Sequence, residues 1–341
     1  MALQASGQIK YSEIITEFGT PNSGGLGEYR VSENVGSLSN LPLDTGVPQS
    51  GQIKFSDFYS KRLNQVVDLY SIGNNSSRQV AKDRWNNGNV HIVGSTKTTK
   101  TQPPDTVDDR VIINVNATIR SVKGTQTHCA LRTGTWDTNT TLEIEIGTSG
   151  KLYGSGGDGG TGGSANETPG TDGQTGSSAL GIQYPCTVNN LGVIQSGYGG
   201  GGGGGGNTRT TGGGKKGGAT TNGSSGGGGG GGAGLPAGDA GGVQTPLAVG
   251  GGSAGSAGQT GSLSGQATGG AGGSEAGAGG NSSPVNNSAT KADNGATASG
   301  AASPGTGGNN GYAIITNQGS APSLSGGGTL TGRTITSTNP T

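Results

Sequence analysis

The chain has 341 residues, of which 78 are glycine, and its 20 basic and 20 acidic side chains leave no net charge at pH 7. This balance argues against a nucleic-acid-binding surface, which would be basic, and no apolar stretch approaches the length that crosses a membrane. The start, Met1–Lys10, lacks the pattern of a signal peptide. We therefore expect synthesis in a cytoplasm, without export by the general secretory route.

An internal repeat marks residues 1–65. Ser6–Ile14 (SGQIKYSEI) recurs as Ser50–Phe58 (SGQIKFSDF). Each copy predicts a tight turn at its glycine, a short strand, and a helix that is capped by serine and has an acidic residue in its first turn. These helices are predicted over residues 13–18 and 57–69.

The segment between the two copies, Gly19–Pro48, is polar and contains proline, so we expect an extended chain on the surface. Because so few apolar residues bury little core, residues 1–65 are interpreted as a docking arm completed by a partner. The alternative is an ordinary N-terminal subdomain. The side chains expected to contact the partner are Ile9, Tyr11, Ile14, Phe18, Ile53, Phe55, Phe58 and Tyr59.

Residues 66–150 predict a small, mainly β domain. Ser76 and Ser77 are placed to cap a helix that runs to Trp85. Strand propensity is high over residues 90–93, 111–119 and 142–146. In the last of these, apolar residues alternate with glutamate and so face one way. The domain boundary is predicted at Gly147–Gly154, where glycine-rich sequence begins.

Glycine is concentrated in residues 151–341, which hold 63 of the 78. It recurs there with period three, as at Gly154, Gly157, Gly160 and Gly163, and also forms uninterrupted runs at 199–206 and 226–232. A flexible linker is one interpretation of such composition. The length of the segment and the short apolar stretches within it favour an ordered domain instead.

Collagen is excluded because the glycine register breaks after Gly261 and the chain has only 13 prolines. The remaining interpretation is a bundle of extended helices with three residues per turn, folded back and forth within one chain. Their backbone amides would have to bond laterally to neighbouring helices, since this conformation has no internal hydrogen bonds.

The sequence offers no catalytic constellation. His91 and His128 are interpreted as structural, and Cys129 and Cys186 as buried small residues. Residues 212–217 lack the spacing of a phosphate-binding loop, and the acidic residues of the second half stand singly. We therefore expect no enzyme activity, no cofactor and no metal site.

Several stretches resemble known phage proteins. In residues 142–206 a strand leads into Gly-Gly-x-Gly-Gly repeats and then polyglycine, and this stretch is similar to the distal adhesin of T-even-type bacteriophage long tail fibres. The closing stretch, 308–332, is similar to the last strands of such adhesins. The SGQIK repeat, with Gly27–Arg30, resembles virion proteins of T-even-like phages of marine cyanobacteria.

The resemblance implies a mainly β and irregular fold: an attachment module (1–65), a small β-rich domain (66–150) and a sandwich of polyglycine-II helices (151–341). It further implies a monomeric tip protein of the virion, without nucleic-acid binding or membrane insertion. Such a protein docks on a tail-fibre or baseplate protein and binds a host outer-membrane protein or surface polysaccharide. The N-terminal 65 residues depart from the best-known adhesins, which begin with Trp-rich segments.

Loops between glycine runs are the expected receptor contacts. The candidate residues are Thr208, Arg209, Thr210, Leu235, Pro236, Val243, Gln244, Leu247, Val285 and Asn286. Two alternatives stay open from the sequence: a structural baseplate or decoration protein of the virion, and a subunit of a self-assembling extracellular filament.

Overall fold

The architecture is a prism of parallel strands that carries a glycine-rich insertion. The computed structural model describes residues 3–20, 23–44, 46–93, 110–164, 168–203, 229–242 and 305–341, and the backbone alone of residues 207–211 and 220–224. Strands and irregular segments dominate, so the predicted mainly β and irregular fold is confirmed.

The helices and strands are short. The helices are α1 (Tyr11–Phe18) and α2 (Ala81–Asn86), with 3₁₀ turns at Leu26–Tyr29 and Phe55–Phe58. The strands are β1 (Ser32–Val35), β2 (Leu38–Pro42), β3 (Asn64–Leu69), β4 (Ser76–Ser77), β5 (Gln79–Val80), β6 (Val90–Ile92), β7 (Arg110–Val115), β8 (Thr118–Arg120), β9 (Cys129–Arg132), β10 (Thr141–Ile146), β11 (Lys151–Tyr153), β12 (Ser178–Ile182), β13 (Cys186–Asn190), β14 (Val193–Gln195), β15 (Asn207–Thr211), β16 (Thr220–Ser224), β17 (Tyr312–Thr316), β18 (Ser323–Ser325), β19 (Thr329–Thr331) and β20 (Arg333–Ile335).

From β3 onward the chain winds around the prism, and each coil adds one strand to each of three sheets. Sheet 1 has the order β18-β13-β10-β7-β3-β6, sheet 2 the order β19-β14-β11-β8-β4, and sheet 3 the order β20-β17-β12-β9-β5. All of these pairings are parallel except β3 with β6. The result is a five-coil parallel β-helix, a fold in which each coil packs mainly against its neighbours.

Apolar side chains stack in register along the inside of the prism. In sheet 1, Val67, Ile113, Ile144 and Val188 are consecutive register partners, and all four are buried. Leu324 occupies the same position in the last coil and is 39% exposed. Burial in such stacks is the main source of stability, so the four buried positions contribute most and the partly exposed Leu324 contributes less.

The two ends of the prism differ. At the first coil, α2 packs on β3 and β5 and buries Ala81 and Trp85 in the core. At the fifth coil, the described residues place no helix over Leu324, and all three residues of β18 are exposed. One end of the core is therefore capped and the other is open.

The N-terminal residues form a subdomain on the outer face of sheet 1. One of its clusters contains Phe18, Tyr29 and Phe58, whose rings pack edge to face or tilted against each other at 5.6–5.9 Å. A second cluster joins the β1–β2 hairpin to outward-facing Val66 and Ile112 of the prism.

The glycine-rich sequence is inserted at one vertex of the prism. The chain leaves sheet 2 at the end of β11 and returns in sheet 3 at β12, and it leaves again after β14 and returns at β17. The described glycine-rich segments are run 1 (154–164), run 2 (168–177), run 3 (196–203), run 4 (229–233), run 5 (236–242) and run 6 (305–311).

Three corrections to the sequence prediction follow. The helix predicted over 57–69 is wrong, because the chain forms a single 3₁₀ turn and then β3. The strand predicted over 111–119 is two strands, β7 and β8, separated by a corner of the prism. The helix predicted from Ser76 starts later, at Ala81.

Candidate functional site

The glycine runs bond laterally through their backbones with a period of three residues. In run 1, Gly157 and Gly160 donate to carbonyls of run 3 at 2.8 Å, whereas Gly156 and Gly159 donate to carbonyls of run 5 at 2.8 Å. The carbonyls of the third register accept amides of run 2. A helix with three residues per turn would produce such a three-residue hydrogen-bond repeat, and the polyglycine-II geometry of the runs stays a prediction.

Glycine stands where the runs face each other's backbones. A Cβ atom on Gly157 would lie 2.0 Å from the carbonyl oxygen of Gln174, and one on Gly160 would lie 2.0 Å from that of Thr171. The residues of run 1 whose carbonyls accept the amides of run 2 are not glycine; they include Asp158 and Thr161. Backbone packing thus explains the period seen in the sequence.

An ion pair fastens the insertion to the prism. Lys123, between β8 and β9, places its Nζ 2.6 Å from Oδ1 of Asp158 in run 1 and 2.7 Å from Oδ2 of Asp239 in run 5. Burial by itself would lower the pKa of Lys123, but the hydrogen bonds and charges of the two carboxylates outweigh it and raise that pKa. The lysine therefore stays charged and holds the two runs against the second coil.

The runs alternate in direction, so their connections fall at two ends. Runs 1, 3 and 5 lead away from the prism and runs 2, 4 and 6 lead back, because run 1 pairs in parallel with runs 3 and 5 and antiparallel with runs 2 and 4. The connections 1–2, 3–4 and 5–6 therefore all start and finish at the distal end. At the polyglycine-II rise of about 3.1 Å per residue, run 1 would extend roughly 30 Å from the prism.

The distal end carries part of the predicted receptor set. Thr208, Arg209 and Thr210 lie in β15, which pairs with β16 in an antiparallel hairpin between runs 3 and 4. In its register Arg209 stands opposite Asn222. The candidates outside the described residues are Val243, Gln244, Leu247, Val285 and Asn286; they belong to the sequence between runs 5 and 6.

Leu235 and Pro236 lie at the other end. The amide of Leu235 donates to the carbonyl of Gly154 at 2.9 Å, and that of Gly156 donates to the carbonyl of Pro236 at 2.8 Å. This turn joins the inward run 4 to the outward run 5, so it sits beside the prism. The expectation that these two residues belong to a tip loop does not match this position.

The sequence prediction missed the connection between runs 1 and 2. Its described part includes Ser164 and Thr168, whose hydroxyl oxygens are 2.7 Å apart. The available signal was the loss of glycine between Gly163 and Gly170. This connection reaches the same distal end as the other two.

Half of the predicted attachment residues are buried within the chain. Ile9, Ile14, Phe18 and Phe58 are at most 8% exposed, so they complete the subdomain's own core and are not free to contact a partner. The remaining four side chains reach the surface. They are Tyr11, Ile53 and Tyr59, which are partly buried, and Phe55, which is 42% exposed.

Among the described residues, the titratable groups give little indication of reactivity. Burial raises the pKa of Cys129 and of Cys186 to about 12, so both are neutral thiols at pH 7. The described residues contain no group of three potential metal ligands. Within the same part of the chain, no helix is long and apolar enough to span a membrane. His91 bonds Glu33 of the N-terminal hairpin at 2.7 Å, as a structural residue does.

One comparison with known proteins gives a match. The family model for the phage tail fibre adhesin Gp38 matches residues 80–335, from β5 through β20. No curated protein and no solved structure matches the chain. The matched segment contains both the prism, apart from its first strands, and the whole glycine-rich insertion.

Proposed function

Because this chain belongs to the phage tail fibre adhesin Gp38 family, we propose that it attaches the phage to its host cell. The distal end of the glycine runs binds the cell surface, and the N-terminal part joins the tail fibre. The family is one of virion components, and its members act as binding proteins, so the chain's task is adhesion rather than catalysis.

The observation that carries the proposal is the gathering of three connections at one end of a scaffold with a backbone core. Among the described residues, the runs contact each other mainly through their backbones, with few buried side chains such as Tyr198, so the connections are able to change in sequence with little effect on a packed interior. Rigid scaffolds with variable loops at one end are typical of recognition proteins.

The receptor is an outer-membrane protein or a surface polysaccharide of the host. The described hairpin, β15 with β16, contains only Asn, Thr, Arg, Gly and Ser. Such residues supply hydrogen-bond donors and acceptors and one positive charge, which suit a polar surface.

A competition assay tests the proposal. Purified chain at saturating concentration is added to host cells before the phage, and free phage is counted with time. We expect adsorption to fall in proportion to the chain bound to the cells. Absence of both cell binding and inhibition contradicts the proposal. In a second experiment the chain is labelled on the virion and imaged, and a position at the head or baseplate favours a purely structural role.

A further inference from the structure

The two copies of the SGQIK repeat share the same turn and the same helix start, although α1 continues to Phe18 and the second copy forms a 3₁₀ turn that ends at Phe58. Gly7 and Gly51 both have positive φ, 94° and 75°, a conformation that favours glycine. The amides of Lys10 and Lys54 each donate at 2.7 Å to the acidic side chain three residues later. The duplicated sequence therefore gives a duplicated turn, and the two copies differ only after it.

The two turns also pack against each other through equivalent residues. The rings of Tyr11 and Phe55, which occupy the same position of the repeat, meet edge to face with centroids 6.3 Å apart. Each glycine carbonyl accepts a side-chain donor, from Tyr59 to Gly7 and from Arg30 to Gly51. Contact between equivalent positions gives the pair one continuous outer surface.

That surface combines an exposed aromatic ring with two positive charges. Phe55 is 42% exposed, and Lys10 and Lys54, which directly precede the two rings in sequence, are both exposed. Among the described residues, neither lysine forms an ion pair. We call this set, Lys10, Tyr11, Lys54 and Phe55, the paired-turn surface.

The paired-turn surface is separate from the proposed receptor-binding end. Its subdomain covers the outer face of sheet 1 through Val66 and Ile112, whereas the glycine runs leave from the vertex between sheets 2 and 3. In a triangular prism that vertex is opposite sheet 1. The repeat also lies before residue 80, outside the segment that the adhesin family shares.

We propose that the paired-turn surface is where this chain docks on the end of its tail fibre. The partner it fits is a fibre protein with an apolar site for the aromatic pair and carboxylates for the two lysines, because exposed aromatic side chains are typical interface anchors and opposite charges set the register of docking. The inference rests on the proposed function, since it takes the chain to be a tail fibre component.

Reloading of adhesin-free fibres tests the inference. Fibres are purified from particles of the phage that encodes this chain, prepared without it, and are mixed with full-length protein. The variants are Phe55→Ser and the double charge reversal Lys10→Glu with Lys54→Glu, all at exposed positions. The controls are Leu191→Ser, which is 49% exposed on the prism, and Leu324→Ser at its open end.

We expect both paired-turn variants to load at least about tenfold more weakly than the unaltered chain, and the controls to load normally. Binding of the free variants to host cells should not change. Normal loading of both variants overturns the inference, as does loss of loading in Leu324→Ser alone or failure of the unaltered chain to load. Failure of the unaltered chain to bind cells contradicts the proposed function instead.

Discussion

At Gly241 a single methyl group would lie 2.0 Å from the carbonyl oxygen of Gly160, whereas at the next residue, Gly242, no atom lies within 4 Å of the same position. We expect Gly241→Ala to lower the free energy of unfolding by at least about 1–3 kcal/mol, because two hydrogen-bonded backbones would have to separate. Thermal unfolding of the purified variant measures the loss.

Gly242→Ala is the matched control, since it adds the same methyl group one residue away. It should melt like the unaltered protein. The contrast should recur within the polyglycine run at Gly200, whose Cβ would lie 2.0 Å from the carbonyl oxygen of Asp158. Equal melting of Gly200→Ala, Gly241→Ala and Gly242→Ala would mean that the runs are not packed helices.

Asp172 makes the contact between runs 2 and 6 sensitive to acid. The amide of Thr306 donates to its Oδ1 at 2.6 Å, and this hydrogen bond lowers the pKa of the carboxyl group. A carboxylate whose folded-state pKa is depressed stabilises the fold above its unfolded-state pKa of about 3.9 and loses that contribution as the pH falls through the folded-state value.

Asp172→Asn keeps an oxygen that accepts the amide but removes the titration. We therefore expect the melting temperature of the unaltered protein to fall more than that of Asp172→Asn as the pH is lowered from about 6 to about 3. Parallel pH profiles of the two proteins would show that this carboxylate does not contribute.

At the scale of elements, the loop between β8 and β9 decides how the insertion is held. Lys123→Met removes a charge that is 26% exposed and contacts two carboxylates. We expect a loss of about 1.5–3 kcal/mol, as for hydrogen bonds to charged groups, and a smaller difference from the unaltered protein at high salt.

The two carboxylates give an internal comparison. Asp158 is 28% exposed and Asp239 is 85% exposed, and exposed ion pairs contribute little. Asp158→Asn should therefore destabilise more than Asp239→Asn. If Asp239→Asn destabilises the protein more than Asp158→Asn does, the contact between Lys123 and Asp158 is not the main attachment of the insertion to the prism.

The sequence predicted the type of an element correctly where one pattern covered the whole element. Alternation in 142–146 predicted β10 with its apolar side buried, and the prediction is confirmed. The serine cap at Ser56 and the acidic Asp57 predict a helix that continues to Leu69, and residues 64–69 show no alternation that would indicate a strand, because β3 is buried on both faces. The corner between β7 and β8, at Asn116 and Ala117, contains neither glycine nor proline, so the strand formers on either side of it predict one continuous strand.

At the scale of the molecule, sequence order conceals the architecture. Residues 147–154 were expected to separate a β domain from a glycine-rich domain, yet β12 to β14 and β17 to β20 complete the prism that begins before them. Pairings such as β12 with β17 join residues more than 130 positions apart, and no local pattern signals them. The period of three in the glycine positions did predict that the runs bond laterally through their backbones, because this period is visible within a short stretch of sequence.

For the whole molecule, we expect the residues that bind the receptor to be different from the residues that stabilise the fold. The hairpin that contains Arg209 connects runs 3 and 4, and within the described residues its two strands pair only with each other, so Arg209→Ala should leave the melting temperature unchanged. Leu247→Ala, in the sequence between runs 5 and 6, is expected to behave alike. If these positions contact the receptor, each variant should bind host cells more weakly, by roughly 1 kcal/mol or more when the residue is an anchor.

Lys151→Ala is the matched control for Arg209→Ala, since Lys151 is an exposed cation on β11 of the prism. It should lose neither stability nor cell binding. If Arg209→Ala and Leu247→Ala both bind cells like the unaltered chain, the receptor contact must lie elsewhere on the distal end, and the connection between runs 1 and 2 is the next to substitute. If instead they lower the melting temperature, the distal connections are part of the folded scaffold and are not free to vary, which removes the physical reason for placing recognition there.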